Sequence, residues 1–141
     1  MAAPLLIKIK SATFKSKAIV SAQSANIGFG GSAQTAKGDG ATAMQIAYVE
    51  GIVGTIAVNA LQGQITDKDV IMPGNGALVI VGYQQADGEG HEAGEDKTWT
   101  FPNATLNDTS RGMPSDGNPT VDHNFTAVAA SGDPSDIFSV A

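Results

Sequence analysis

The chain has no cysteine and few of the groups that carry out chemistry. Its 141 residues include two histidines and one tryptophan, and charged residues make up 16% of the sequence, against about 25% in a typical soluble domain. The absence of cysteine excludes disulfide bridges and thiol chemistry. A surface poor in charge is typical of surfaces that are buried against partners. The alternative is a glycine- and alanine-rich composition that comes from a biased genome.

The charges that are present are distributed unevenly. Residues 1–38 contain five lysines and no acid, whereas all 14 acidic residues lie from Asp39 onward, and the net charge is −6. An acidic protein with a single arginine is a poor nucleic-acid binder, because neutralising phosphates requires several lysines or arginines on one face. Our hypothesis for the lysine-bearing start is that it meets the acidic remainder of a neighbouring copy.

No segment of the sequence has the pattern of a membrane anchor or a signal peptide. The start, MAAPLLIKIK, lacks a charged region followed by a long apolar run. Residues 41–61 are long enough to span a bilayer, but Glu50 lies in the middle of them, and Gln45, Thr55 and Asn59 add further polar groups. We therefore expect a pair of soluble strands and no membrane association.

Three groupings resemble chemical sites only superficially. The segment His91–Asp96 concentrates acids around a histidine, but it lacks the His-Glu-x-x-His zinc pattern and is flanked by glycines, so an acidic solvated loop is favoured. Asp122 and His123 are adjacent on a predicted strand and point to opposite faces, so they cannot orient each other. Gly28–Gly31 lacks the helix and the lysine of a phosphate loop. We expect no catalytic residue, no cofactor, no metal and no enzymatic activity.

The apolar residues alternate as in β-strands, and no segment sustains a helical period. Leu5, Ile7 and Ile9 share one face while Lys8 and Lys10 share the other. The same alternation indicates strands in four further segments, and a turn-forming cluster precedes one of them. These segments are 43–58, with glycines 51 and 54 at expected bulges or bends, 77–83 after Pro73, 98–101 and 120–128. The pattern places Trp99 and Phe101 on one face of their strand, and it places His123 among Val121, Phe125 and Ala127 on one face of the last strand. The sequence predicts one all-β domain over residues 1–141, an antiparallel β-sandwich with exposed loops at 86–96 and 108–119. It also predicts one short helix of one or two turns, which is capped by residues 66–69 and ended by Pro73.

A long hairpin is the most distinctive predicted element. Its arms are Lys17–Phe29 and Ala41–Val58, and its glycine-rich tip, residues 28–40, contains the turn dipeptide Asp39-Gly40. Arms of about 12 residues reach roughly 40 Å. Edges of this length invite pairing with another chain, so we expect neighbouring copies to occupy them. The alternative is a shorter hairpin that folds back on its own sheet.

Two segments near the C-terminus carry a resemblance to a known family. Lys97–Leu106 (KTWTFPNATL), a polar loop and Val121–Ala130 (VDHNFTAVAA) resemble the closing strands of bacteriophage tail tube proteins. The upstream layout is also similar: a lysine-rich first strand, a long hairpin, a strand of the form Gly-x-x-Gly-Thr-Ile-x-Val at Gly51–Val58, a short helical turn and an apolar strand.

This resemblance implies a structural role in a virion tail. Tail tube subunits form hexameric rings in which long hairpins join into one inner β-barrel, and stacked rings conduct DNA without binding it specifically. The type VI secretion and pyocin tubes share the fold. Implied partners are further copies, the tape measure and the tail terminator; the implied locations are the virion tail and, during assembly, the host cytoplasm. The implied lumen or inner-barrel residues are Ile19, Ser21, Gln23, Ile27, Gln45 and Glu50. The implied inter-ring residues are Gly30, Gly31, Lys37 and Asp39.

Two questions remain open from the sequence. Glu50, the only acid in its apolar stripe, must face water, as in a tube lumen, or pair with Lys8 or Lys10 across a strand. The competing function is a β-sandwich adhesin or capsid-decoration module that binds a host surface or carbohydrate. Such a protein is expected to expose aromatic residues on loops, whereas Tyr48 and Trp99 lie in predicted strands.

Overall fold

The computed structural model describes residues 6–19, 21–61, 71–84, 96–112, 114–117 and 119–141. Within these ranges the chain is almost entirely β-structure, which confirms the predicted all-β antiparallel class. The strands are β1 (Leu6–Phe14), β2 (Lys17–Ala18), β3 (Ala22–Ala36), β4 (Ile46–Leu61), β5 (Gly74–Gln84), β6 (Lys97–Arg111), β7 (Thr120–Ala127) and β8 (Ser139–Val140). The described residues include no helix long and apolar enough to cross a bilayer.

The strands form one sheet in the order β2-β1-β5-β6-β7-β4-β3, and every neighbouring pair is antiparallel. Strand β8 also pairs with β6, through Trp99 and Thr100. The order leaves β2 and β3 at the two ends of the sheet. Strand β3 therefore has the long hairpin partner β4 on one side and no strand partner among the described residues on the other.

The core follows the alternation predicted from the sequence. In β7 the side chains of Val121, His123, Phe125 and Ala127 are all buried, and the Phe125 ring packs 5.1 Å from the Phe14 ring, centroid to centroid. Because alternate strand residues point to opposite faces, a single face of the sheet supplies this core. The predicted position of His123 among apolar residues is confirmed.

The start of the long hairpin differs from the prediction. Lys17 and Ala18 do not begin its first arm; they pair with Phe14 and Thr13 as the second strand of a separate, tight hairpin. Its two-residue turn places both Lys15 and Ser16 at positive φ, 53° and 64°, as a type I′ turn requires. Neither residue is the glycine or asparagine that favours this turn, so the sequence carried no signal for it.

The long hairpin itself is present, with a longer first arm, a slightly shorter second arm and a smaller tip than predicted. Strands β3 and β4 pair from Ala22 opposite Ala60 to Ala36 opposite Ile46, and residues 37–45 connect them. The Asp39-Gly40 turn is confirmed by a 3.2 Å hydrogen bond from the Ala41 amide to the Gly38 carbonyl and by φ of 80° at Gly40. The predicted tip at 28–40 is wrong in its first part, because residues 28–36 continue β3.

A β-bulge keeps Gly30 and Gly31 within the ladder of backbone hydrogen bonds between β3 and β4. Gly30 pairs with Val53 and Ser32 with Glu50, so Gly31 lies opposite two residues of β4. One of these, Gly51, has φ of 66°, a conformation that residues other than glycine rarely adopt. The predicted irregularity at Gly51 is confirmed. Gly54 lies in regular ladder instead, where it faces Phe29.

Three further expectations concern loops and the helix. The loop predicted at 108–119 begins later, because β6 extends to Arg111 and Asp108 accepts a 2.7 Å hydrogen bond from the Asn124 amide. The helical turns predicted at 66–69 and the loop at 86–95 lie outside the described residues. A 3-10 turn at Pro134–Asp136 was not predicted. Asp133 caps it by accepting a 3.0 Å hydrogen bond from the Ser135 amide.

Candidate assembly surface

The long hairpin divides into two parts that we name the base and the overhang. In the base, residues 54–61 of β4 pair with β7 on one side and with β3 on the other. The overhang consists of Gly30–Ala36 of β3, Ile46–Val53 of β4 and the connecting residues 37–45. It extends beyond the end of β7, so its two strands pair only with each other.

Burial changes sharply between the base and the overhang. In the base Ile56, Val58 and Ala60 are at most 1% exposed. In the overhang Tyr48 and Val49 are each 52% exposed, and the described side chains of β4 from residue 47 to residue 51 are all exposed. The overhang thus presents apolar side chains to solvent, which is unusual for a surface without a partner.

Two unlike strand edges of the hairpin have no partner within the described chain. One is the outer edge of β3, which runs along all 15 of its residues. The other is the edge of β4 over residues 46–53, where β7 has already ended. Unpaired backbone groups on a long edge form a template for another strand. Strand β3 contains no proline and no charged residue, two features that commonly protect an edge against such pairing.

The predicted lumen residues fall in different places. Ile19 and Ser21 precede β3, so they do not belong to the hairpin; Ile19 is a core residue, and its amide donates to the Ala12 carbonyl at 2.9 Å. Gln23 is exposed on β3, and Ile27 is half-buried on the core side.

The remaining predicted residues lie in the overhang. Gly30 and Gly31 are in β3, whereas Lys37, Asp39 and Gln45 are in the connection. The Gln45 side-chain oxygen accepts a 2.6 Å hydrogen bond from the Gly38 amide, which ties the two ends of the connection together.

Glu50 lies exposed on the overhang, opposite Ser32. The predicted alternative, an ion pair with Lys10 or Lys8 across a strand, is wrong, because the strand partners of β1 are β2 and β5. Lys10 instead pairs with Asp96 at 2.5 Å, and the hydrogen bond and negative charge of that carboxylate raise the pKa of Lys10. Lys8 lies over the Tyr83 ring, 5.2 Å from its centroid.

A cavity of about 250 Å³ separates β1 from β3. Its walls are mainly apolar, and Lys8 and Gly82 complete them. The apolar lining residues are Ile9 of β1, Ala25 and Ile27 of β3, Ile80 of β5 and Trp99 of β6. We call this cavity the seam, because it lies between two strands that approach each other without a shared ladder. An aromatic column continues from Trp99 through Phe138 to Phe29, with ring centroids 5.3 Å and 4.7 Å apart.

Sequence reasoning missed this column and the seam. Trp99 was correctly expected on the same face as Phe101, but the contribution of Phe138 depends on the 3-10 turn at Pro134–Asp136, which precedes it in the chain. The signal that could have indicated the turn is Asp133-Pro134, an N-cap residue followed by proline at the first position.

The face of the sheet opposite the core carries hydrogen-bonded polar pairs. Asn59 donates to Asp122 at 2.5 Å, and Asn107 donates to Thr126 at 2.6 Å. Asp122 is exposed while His123 is buried, because successive side chains of a strand point to opposite faces of the sheet. No three His, Asp or Glu side chains of the described residues are grouped so that they could hold a metal ion.

Comparisons with known proteins do not assign a family to this chain. No protein-family model matches the sequence, and no curated protein matches it.

Proposed function

We propose that this protein is a structural tube subunit that assembles into hexameric rings, and that the rings stack into a conduit for DNA like that of a bacteriophage tail. The observation that carries the proposal is the pair of unlike, unpaired edges on one protruding hairpin. Each copy offers the outer edge of β3 and the 46–53 edge of β4.

Unlike edges favour a ring over a two-fold dimer. When one surface of a copy binds a different surface of the next, the contact is heterologous, and its repetition closes into a ring if the rotation allows. A two-fold dimer would pair like with like and leave the other edge of each hairpin free. Pairing the β4 edge of one copy with part of the β3 edge of the next uses both surfaces of every copy and joins the hairpins into a continuous barrel.

The chemistry of the overhang suits the wall of a conduit. Its β-strands carry a single charged residue, Glu50, which is exposed. A ring of repeated carboxylates and few cations repels DNA phosphates and leaves the polymer free to slide. The resemblance of residues 97–130 to the closing strands of tail tube proteins supports the same function, with tape measure and tail terminator as further partners.

Negative-stain electron microscopy of the purified protein at high concentration tests the proposal. Long hollow tubes or six-fold rings are the expected result. Discrete single copies at every concentration would contradict it, and would favour the competing function of an adhesin or capsid-decoration module.

Blocking the β3 edge tests which surface drives assembly. Ser24 and Asn26 are exposed on β3, and lysine on an edge strand is a known device against pairing. We expect the double variant Ser24→Lys, Asn26→Lys to remain folded by circular dichroism and to lose tube formation. Ser110→Lys, at an exposed position of the interior strand β6, is the matched control and should assemble normally. If both variants assemble equally well, the β3 edge is not part of the interface between copies.

A further inference from the structure

The seam between β1 and β3 is an incomplete part of the sheet. On the seam side, residues 6–11 of β1 have no strand partner among the described residues, because β2 pairs only with Thr13 and Phe14. The facing edge of β3 is also without one. Two unpaired edges beside an apolar cavity are the features of a surface that accepts an added strand.

The indole N–H of Trp99 gives an independent indication. Trp99 lines the seam, and its Nε1 atom is buried and makes no hydrogen bond to the described residues. A buried donor without an acceptor destabilises the folded state. Such groups are rare in native proteins, and an acceptor from a second copy would satisfy this one.

The overhang of a second copy can supply both a strand for the unpaired edge of β3 and a hydrogen-bond acceptor for Trp99. Residues 46–53 of β4 span about 26 Å at the strand rise and have an unpaired edge with backbone carbonyl oxygens. Val49 is an exposed apolar residue of this segment. The strands of the overhang carry only a negative charge, whereas the β1 residues beside the seam carry Lys8 and Lys10, so no like-charge repulsion opposes the contact.

We propose that residues 46–53 of one copy dock along the seam half of β3, residues 22–28, in the next copy, so that Val49 covers the cavity and the docked segment supplies an acceptor for the Trp99 indole. This inference rests on the proposed self-assembly and adds the receiving surface. The neighbouring copy therefore contacts the apolar residues that line the seam as well as the edge of β3.

Disulfide trapping tests the contact directly, because the natural chain has no cysteine. The double variants Ala25→Cys with Val49→Cys and Ala25→Cys with Ala47→Cys bracket the register. Within one copy Val49 lies opposite Ala33, eight residues along β3 from Ala25, which is roughly 26 Å. A disulfide requires Cα atoms within about 7 Å, so a bond between these positions must join two copies. Oxidation of assembled protein should give a ladder of covalent oligomers.

The control pair is Ala25→Cys with Ser110→Cys, which places the second thiol on an exposed position of β6. This pair should give no ladder, and neither should any of the single-cysteine variants. A ladder from the control pair as strong as that from Ala25→Cys with Val49→Cys would overturn the assigned contact.

The single tryptophan supplies a second readout. Assembly should shift its emission to shorter wavelength and lower its quenching by iodide severalfold. Trp99→Phe keeps an aromatic ring and removes the donor, so the isolated copy should keep or gain thermal stability while the critical concentration for assembly rises about fivefold to tenfold, the equivalent of one hydrogen bond. A purely structural role would lower the stability of the isolated copy instead.

The outcomes separate this inference from the proposed function. Tubes that form with unchanged Trp99 emission and without a disulfide ladder would overturn the seam contact and leave the tube function standing. Failure to assemble at any concentration would overturn both.

Discussion

The base and the overhang of the long hairpin are built from the same two strands, yet they differ in almost every physical property. One ladder of backbone hydrogen bonds runs through both. In the base β4 has a second neighbour, β7, and its inward side chains are fully buried; in the overhang that neighbour is absent and Tyr48 and Val49 are half exposed. The comparison teaches that strand pairing alone does not bury a hairpin. A third strand decides whether its apolar face becomes core or interface.

Amide hydrogen exchange should show the largest difference between the two parts. In the isolated copy we expect the amides of residues 46–53 to exchange orders of magnitude faster than those of 54–60, because the overhang opens locally while the base opens only with the core. Assembly should slow the overhang and leave the base unchanged. Equal rates in the two parts of the isolated copy would contradict the division.

A matched substitution in one strand measures the same contrast as stability. Val58→Ala removes methyl groups from a residue that is 1% exposed and should lower the free energy of unfolding by about 2–3 kcal/mol. Val49→Ala, nine residues earlier in β4, should change it by less than about 0.5 kcal/mol, and should weaken assembly instead. Chemical denaturation of dilute protein checks both values; similar losses for the two variants would mean that the overhang is packed in the single copy.

Two adjacent glycines sharpen the comparison at the bulge. A Cβ at Gly31 would lie 2.5 Å from the Glu50 carbonyl oxygen, whereas a Cβ at Gly30 would meet nothing within 4 Å. We expect Gly31→Ala to destabilise the overhang by about 1–3 kcal/mol, and Gly30→Ala to stabilise it by about 0.4–1 kcal/mol through the unfolded state. The measurement is the hydrogen-exchange rate of the amides of residues 30–36. Exchange reports the local opening of the overhang, which a global unfolding experiment does not resolve. Identical effects of the two substitutions would mean that the bulge is not closely packed at Gly31.

Glu50→Gln tests the role of the one charge in the strands of the overhang. Since Glu50 is exposed and lies opposite Ser32, the variant should keep its melting temperature and still form tubes. Particles built from it should eject DNA more slowly or incompletely, because the lumen loses a ring of negative charge. Loss of assembly or of thermal stability in the variant would refute the lumen role.

The smallest effect is expected at the 3-10 turn, Pro134–Asp136. Hydrogen bonds from the Ser135 amide and hydroxyl lower the pKa of Asp133 below its usual value of 3.8. A lowered pKa stabilises the folded state above pH 3.8, and this contribution is lost as the pH falls through the folded-state pKa. Asp133→Ala should therefore lower the melting temperature slightly at pH 7, and the difference from the natural chain should vanish in strong acid. A difference that does not depend on pH would mean that the carboxylate charge is not involved.

Several features of the fold could be predicted because they depend on local chemistry. The alternation in residues 120–128 identified Val121, His123 and Phe125 as one buried face, and the Asp39-Gly40 turn followed from residue type alone. The tight hairpin at Lys15-Ser16 could not be predicted, since neither residue favours positive φ and the pairing of β1 with β2 imposes it. Gly28–Gly31 suggested a turn, but the register with β4 absorbs these glycines in a strand with a bulge.

The sequence by itself determined the all-β class, the long hairpin and the shortage of charged groups, because strand alternation, turn residues and composition act over a few neighbouring positions. Only the tertiary structure decided where β7 stops along β4, and so which apolar residues of the hairpin become core and which stay exposed. It also decided that β1 and β3 meet at an open seam beside Trp99. Both features depend on pairings between segments that are far apart in the chain. Residues 46–60 have the same kind of apolar pattern before and after Gly54, where the pairing with β7 ends.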